Sequence, residues 1–297
     1  MEFADRIVAI TGSASGIGEG LAEKFAALGM KLVLADVDGG RLRDQAAAFR
    51  ASGTEVIALH TDVSDPAALE TLADAAYDRF GAVHLLCNNA GIVPAGRERH
   101  IWDIPAEDWQ WTLGVNLLGV INGIRSFVPR MLAAGTEGHI VNTVSVSGLI
   151  SGASSPVYGV SKHGALRATE ALYASLRDIG APIGVTALCP GVVHTAIHRS
   201  ERSRPAALVP QSGVARERSE LEAWYATMQQ HGLTPAAVAD MVVDAIERKQ
   251  FYLITTDAFD SAIRDRAEAI LSRGNPGFED HVALSQRDID LRRLGRN

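Results

Sequence analysis

"ITGSASGIG", residues Ile10 to Gly18, sets three glycines and three small polar side chains between an apolar run and a helical pattern. The run before it, "RIVAIT" (Arg6–Thr11), reads as a strand, and the pattern after it as a helix from about Gly16 to Leu28. A tight turn between two such elements gathers backbone N–H groups and a helix N-terminus at one spot, which makes an anion site. Gly12 permits the turn, Gly16 lets a pyrophosphate approach the backbone, and Gly18 lets the helix pack close to the strand. A glycine-rich turn alone can be purely structural, so its context decides. Here a second strand, "KLVLAD" (Lys31–Asp36), follows the helix and ends in a carboxylate. A carboxylate at that place accepts hydrogen bonds from the adenosine ribose hydroxyls and repels a 2′-phosphate. The stretch therefore predicts a dinucleotide site, with Asp36 favouring NAD over NADP.

Working outward, strand and helix patterns keep alternating. A helix follows from about Gly40 to Ala51, then the strand "EVIALHT" (Glu55–Thr61), then a helix from Pro66 with Asp65 placed to cap it. Further strands are "VHLLCN" (Val83–Asn88), "HIVNTV" (His139–Val144) and "PIGVTALC" (Pro182–Cys189), separated by long helices over about Ala106–Ala134 and Pro156–Asp178. Strands apolar on both faces and separated by helices predict an α/β protein with a Rossmann-type, doubly wound parallel sheet. "FYLIT" (Phe251–Thr255) brings the sheet to about seven strands, in one catalytic domain over residues 1–256. Residues 196–232 read as a substrate lid, because 196–220 is rich in Arg, Ser, Pro and Glu with few periodic apolar positions, and so is expected to be mobile. Helices are expected at about Glu220–Gln230 and Pro235–Glu247, and residues 257–297 form a charged C-terminal extension, on the surface or against a neighbouring subunit.

Composition narrows the function. The chain has 297 residues and a net charge of -7, enough length for a large core and the wrong charge for nucleic acid. The basic residues from Arg199 to Arg204 are mixed with Glu201 and read as solvated surface. Cys87 and Cys189 lie in apolar runs without a CxxC partner, and the histidines lack metal-ligand spacing, so neither a disulfide framework nor a metal site is expected. With no signal-peptide pattern and no apolar stretch long enough to span a bilayer, a cytoplasmic protein with no membrane partner is expected.

"PVYGVSKHG" spaces Tyr158 and Lys162 at i, i+4, on one face of a helix. An ammonium beside a phenol favours the phenolate and lowers a pKa normally near ~10, so the phenol can exchange a proton with a substrate hydroxyl. Such pairs are common on solvated helices, and this one gains weight from its companions. The Thr-Gly-x-x-x-Gly-x-Gly spacing at Thr11–Gly18, together with Tyr158 and Lys162, resembles the classical short-chain dehydrogenase/reductase family over about residues 5–195. The resemblance implies a catalytic tetrad of Asn116, Ser145, Tyr158 and Lys162. Of the two serines after the fifth strand, Ser145 has the family's spacing to Tyr158 and Ser147 does not. Asn116, a poor helix former in an apolar run, is otherwise read as a satisfied core amide; in the family it holds a water that leads to Lys162.

The same resemblance implies cofactor contacts from Gly12, Ser15, Gly16, Ile17 and Gly18, from Asp36, and from Asp62 and Val63 after the third strand. It adds Asn89, Ala90 and Gly91 of "NNAG", then Tyr158 and Lys162, then Pro190, Gly191, Val193 and Thr195 of "PGVVHT". The implied activity is a secondary-alcohol dehydrogenase or carbonyl reductase using NAD or NADP. The alternatives are a dinucleotide-sensing protein without catalysis, against which the intact tetrad speaks, and a nucleotide-sugar enzyme, for which the tail is short. "GVNLLGVINGIRSFVPRM", with the long lid and tail, resembles more loosely a branch that includes dehydrogenases of lignin-derived aryl alcohols. That points to a bulky hydrophobic or aromatic alcohol or ketone, with Trp102, Trp109, Trp111, Trp224, Met228 and Leu149 as possible walls. His163 and His194 are expected to be structural or to line the substrate. The family pairs the two long helices between subunits, which predicts a homo-oligomer, a tetramer or dimer.

Overall fold

The computed structural model describes residues 1–95, 100–152, 155–211, 226–228 and 230–295. Its strands are β1 (Ile7–Thr11), β2 (Lys31–Asp36), β3 (Val56–His60), β4 (Leu85–Asn88), β5 (Gly138–Thr143), β6 (Ile183–Cys189) and β7 (Tyr252–Ile254). They form one sheet in the order β3-β2-β1-β4-β5-β6-β7, and every neighbouring pair is parallel. The order reverses between β1 and β4, and a crevice opens at the carboxyl ends of the strands there.

Every residue of β1 is buried, and alternate residues feed opposite layers. Val8 and Ile10 pack with Leu21 and Phe25 of α1 (Gly16–Ala27), with α2 (Gly39–Ala51), and with Val238 and Val242 of α7 (Pro235–Glu247). Ile7 and Ala9 face the other layer, built from α3 (Pro66–Phe80), α5 (Gly119–Ala134) and α6 (Pro156–Asp178), where Leu72, Phe127 and Leu176 lie. This two-sided burial is why the strands carry apolar runs instead of alternation. Helix α3 starts as its sequence requires, with Pro66 in its first turn and the Asp65 carboxylate accepting from the Ala67 amide at 2.9 Å.

The long helix expected over 106–134 is not uniform. It runs as α4 (Ala106–Leu113), then a π-helical turn over Gly114–Leu118, then α5. The π turn sits where the side chain of Asn116 meets the backbone beyond β4, a tertiary demand that helix periodicity does not encode.

Two further segments cover the crevice. The first is a pair of 3-10 turns, Ile197–Ser203 and Ala206–Leu208. The second is the tail: a 3-10 turn at Asp257–Phe259, α8 (Asp260–Ser272) and α9 (His281–Arg293). Ala258, Phe259, Ala262 and Leu284 of the tail cluster with Val146, just after β5. The extension thus folds back onto the same chain's strand ends.

The start of the lid also departs from expectation. Arg204, read as solvated, is 3 % exposed at its side chain. Its guanidinium donates to Asp108 at 2.7 Å and to Glu201 at 2.6 Å, and stacks 4.1 Å from the centre of the Trp111 ring. Few apolar residues are needed, because one paired cation anchors the segment to α4. The helix expected around Glu220–Gln230 lies mostly outside the described residues, as does Trp224.

Candidate active site

A cavity of about 730 Å³ lies along the carboxyl ends of β1, β2, β4, β5 and β6. One end is the glycine turn. Gly12 and Gly16 have φ of +63° and +57°, a region that side chains disfavour. A Cβ on Gly12 would meet Ala90 Cα at 2.7 Å, and one on Gly16 would meet Thr195 Cγ2 at 2.9 Å. Gly16 therefore lets the N-terminus of α1 approach Thr195 of the loop after β6 closely. Gly18 does not line the cavity; a Cβ there would collide with the Gly12 carbonyl, so it serves the helix-to-turn packing.

Asp36 closes that end. One carboxylate oxygen accepts from the Ala14 amide at 2.9 Å and the other from the Asp38 amide at 2.8 Å. Two backbone donors thus fix the carboxylate while leaving acceptor capacity for a ligand. Asp62 and Val63 line the cavity beyond it; Asp62 accepts from the amide and hydroxyl of Ser64 at 2.9 and 2.7 Å. Asn89 ties the walls together. Its amide group donates to the Thr11 carbonyl at 3.1 Å and to the Gly12 carbonyl at 3.2 Å, while its oxygen accepts from Thr143 Oγ1 at 3.2 Å. Ser15, Ile17, Ala90, Gly91, Pro190 and Val193 complete this lining.

The other end holds the polar pair. Tyr158 and Lys162 stand one turn apart on α6, with Nζ 5.7 Å from the centre of the phenol ring. Lys162 is buried, and its ammonium donates to the Thr143 carbonyl at 2.9 Å. Burial pushes its pKa down to about 8. Ser145 lines the same cavity, and its Oγ accepts from the Ser147 amide at 3.1 Å. Asn116 stands behind this group. It accepts from the Ile92 amide at 2.8 Å, and donates to the Ile92 carbonyl at 2.9 Å and to Ser161 Oγ at 3.0 Å. Its side chain is thereby committed to the chain itself. Ser155, which precedes α6 with φ of 51°, lines the cavity, and its buried hydroxyl has no hydrogen-bond partner among the described residues.

Among the proposed walls, Trp111 and Met228 line the cavity, whereas Trp102 is 77 % exposed and Trp109 and Leu149 are not part of the lining. His163 donates from Nδ1 to the Gly148 carbonyl at 2.8 Å and stays outside the cavity, as does His194. The sequence reading missed Phe259, His281 and Ser285, tail residues that do line it. The signal available was spacing: His281, Ser285 and Asp288 follow i, i+4, i+7 on one face of α9.

A family model described as short chain dehydrogenase matches residues 6–206. The chain belongs to the short-chain dehydrogenase family. Within it the chain is an oxidoreductase acting on hydroxyl groups. Its fold is similar to that of a short-chain dehydrogenase/reductase from Burkholderia phymatum in complex with NAD, at 43 % identity and a TM-score of 0.87 over 94 % of this chain and 99 % of that one. The CLA biosynthesis dehydrogenase/reductase of Lactiplantibacillus plantarum is 32 % identical over 93 % of this chain and 96 % of its own length. The C alpha-dehydrogenase of a Sphingobium species is 33 % identical over 100 % of this chain and 95 % of its own length, so the similarity includes the aryl-alcohol dehydrogenase branch. No described helix of this short-chain dehydrogenase is long and apolar enough to cross a membrane.

Proposed function

We propose that this short-chain dehydrogenase interconverts a bulky, hydrophobic or aromatic secondary alcohol and its ketone, with NAD preferred over NADP. The observation that carries the reading is one cavity with Asp36 and the glycine turn at one end and Ser145, Tyr158 and Lys162 at the other. The residues present fit a dinucleotide: Gly12 and Gly16 take positive φ and line the cavity with bare backbone at the N-terminus of α1, and the Asp36 carboxylate is held ready by two amides. Asp36 would take the adenosine ribose hydroxyls, the turn and the α1 N-terminus the pyrophosphate, and the Pro190–Thr195 loop the nicotinamide. When bound, the cofactor supplies the hydride acceptor or donor.

The remaining work falls to the chain. Tyr158 takes the proton of the alcohol in oxidation and returns it in reduction. Lys162, with a pKa near 8, is mostly charged at neutral pH and stabilises the phenolate. Ser145 donates a hydrogen bond to the substrate oxygen. The side chain of Asn116 holds the loop at Ile92 against α6, so any water leading to Lys162 is left to the main chain of the π turn. Trp111, Val146, Met228 and Phe259 supply apolar wall.

A panel of alcohols, followed by the absorbance of the reduced cofactor, tests this. We expect aryl and other bulky secondary alcohols to lead, and kcat/KM to be higher with NAD than NADP. Asp36→Ala should narrow that gap, and Tyr158→Phe should end turnover while NAD still binds. An NADP preference, or near-normal kcat in Tyr158→Phe, overturns the assignment.

A further inference from the structure

The tail enters the site through two polar contacts that simple packing does not need. His281, at the start of α9, shares a hydrogen bond of 3.1 Å between its Nε2 and Ser147 Oγ, and one of 3.2 Å between its Nδ1 and Ser285 Oγ. The amide of Ser147 is in turn the donor to Ser145 Oγ. Two turns along the same face, Asp288 is 0 % exposed, and its Oδ2 accepts from the Val192 amide at 2.8 Å. Its other oxygen pairs with Arg292.

Burying a carboxylate is costly unless it is paired, so this contact is not incidental. Gly191 makes room for it. A Cβ there would meet Asp288 Oδ2 at 2.6 Å and Thr256 Cγ2 at 2.7 Å. The glycine after Pro190 is thus accounted for by the approach of α9 from behind the turn.

We infer that α9 is a positioning element of the active site: His281 holds the loop that carries Ser145, and Asp288 holds the Pro190–Val192 turn against which the nicotinamide would lie. The inference rests on the dehydrogenase reading above. A segment outside the 6–206 family match therefore sets the geometry of residues inside it. Because His281, Ser285 and Phe259 also line the cavity, the same helix shapes the substrate end.

The test compares Asp288→Ala, Asp288→Asn and His281→Ala by calorimetry with NAD and with ADP-ribose, and by steady-state kinetics. ADP-ribose reports the glycine turn and Asp36, which share no hydrogen bond with His281 or with the Asp288 contact to Val192. We expect Asp288→Ala to weaken NAD about tenfold with ADP-ribose affinity unchanged, and to lower kcat on the order of 10²-fold through misplacement of the turn. Asp288→Asn should recover most of the NAD affinity, because its amide oxygen still accepts from the Val192 amide. His281→Ala should lower kcat about tenfold with KM for NAD unchanged. A helix that only stabilises the fold predicts equal losses for both ligands in the Asp288 variants and kcat within twofold in His281→Ala; either result overturns the inference. If Asp288→Ala does not fold, Asp288→Asn and His281→Ala decide by the same readouts. Wild-type protein that binds neither NAD nor ADP-ribose breaks the dehydrogenase reading instead, so the two failures are distinct.

Discussion

Lys162 is a cation in the wrong place for stability and in the proposed place for chemistry. Its ordinary pKa of 10.5 falls to about 8 on burial. Between those two values the unfolded chain binds more protons than the folded one, so the contribution of Lys162 to stability rises with pH there. Below pH 8 the burden is constant and full. Lys162→Met should therefore tolerate neutral pH better than its lost bond to Thr143 suggests, and the difference between wild type and variant should shift in favour of wild type by roughly 3 kcal/mol from pH 8 to 10.5. Cys87 and Cys189 are raised by burial and oppose this trend above about pH 9, but both proteins carry them. Denaturant midpoints measured at several pH values check the prediction, and a difference that stays flat contradicts it. The pair Tyr158 and Lys162 was legible because i, i+4 spacing is a property of the sequence. The partners of Asn116 were not, because Ile92 and Ser161 lie 24 and 45 residues away and reach it only through the fold.

Among the elements, the strands and the glycine turn followed from local pattern, and the segments over the cavity did not. Apolar runs found β1 to β6 because all but the edge strand β3 are buried along most of their length, and β3 still carries Val56, Ile57 and Leu59. The lid has no such periodicity, and what fixes its first half is Arg204 between Asp108 and Glu201. Removing Asp108 leaves the buried Arg204 with Glu201 as its carboxylate partner and one charge-assisted hydrogen bond short, at a cost of about 1.5–3 kcal/mol. Asp108→Ala should lower stability by that order, free the chain around Arg204, and raise KM for the alcohol more than KM for NAD. Trypsin should leave the Arg202–Ser203 bond, in the turn that Arg204 anchors, intact in the ligand-free wild type and cut it in the variant. Rapid cleavage after Arg202 in the wild type would mean that the ion pair does not hold the lid. The π turn over Gly114–Leu118 escaped the reading for a related reason: helix propensity is local, and the slip in the helix follows from where Asn116 must point.

At the scale of the whole molecule, two features bear on assembly. Leu118 in the π turn and Val160 on α6 are large apolar side chains left exposed on neighbouring helices. The surface they share would suit a second copy of the chain. Light scattering at micromolar concentration should give a dimer or tetramer, and Leu118→Glu with Val160→Glu should give a monomer; a monomeric wild type contradicts the prediction. The tail was the least legible part at this scale. Helix α9 is rich in Arg and Asp, so its sequence resembles a solvated helix, and its buried polar stripe becomes visible only once the loops after β5 and β6 lie against it.

The contact between Ser147 and His281 also has a meaning in time. It joins residues 134 positions apart, and the one between Val192 and Asp288 joins residues 96 apart. At synthesis rates of about 5–20 residues per second, His281 leaves the ribosome on the order of ten seconds after Ser147. The glycine turn, Asp36 and β4 are all translated before either loop that α9 holds. The nascent chain thus acquires its adenosine-facing half first, and the loops around Ser145 and Pro190 wait, untethered, for a helix that has yet to be made.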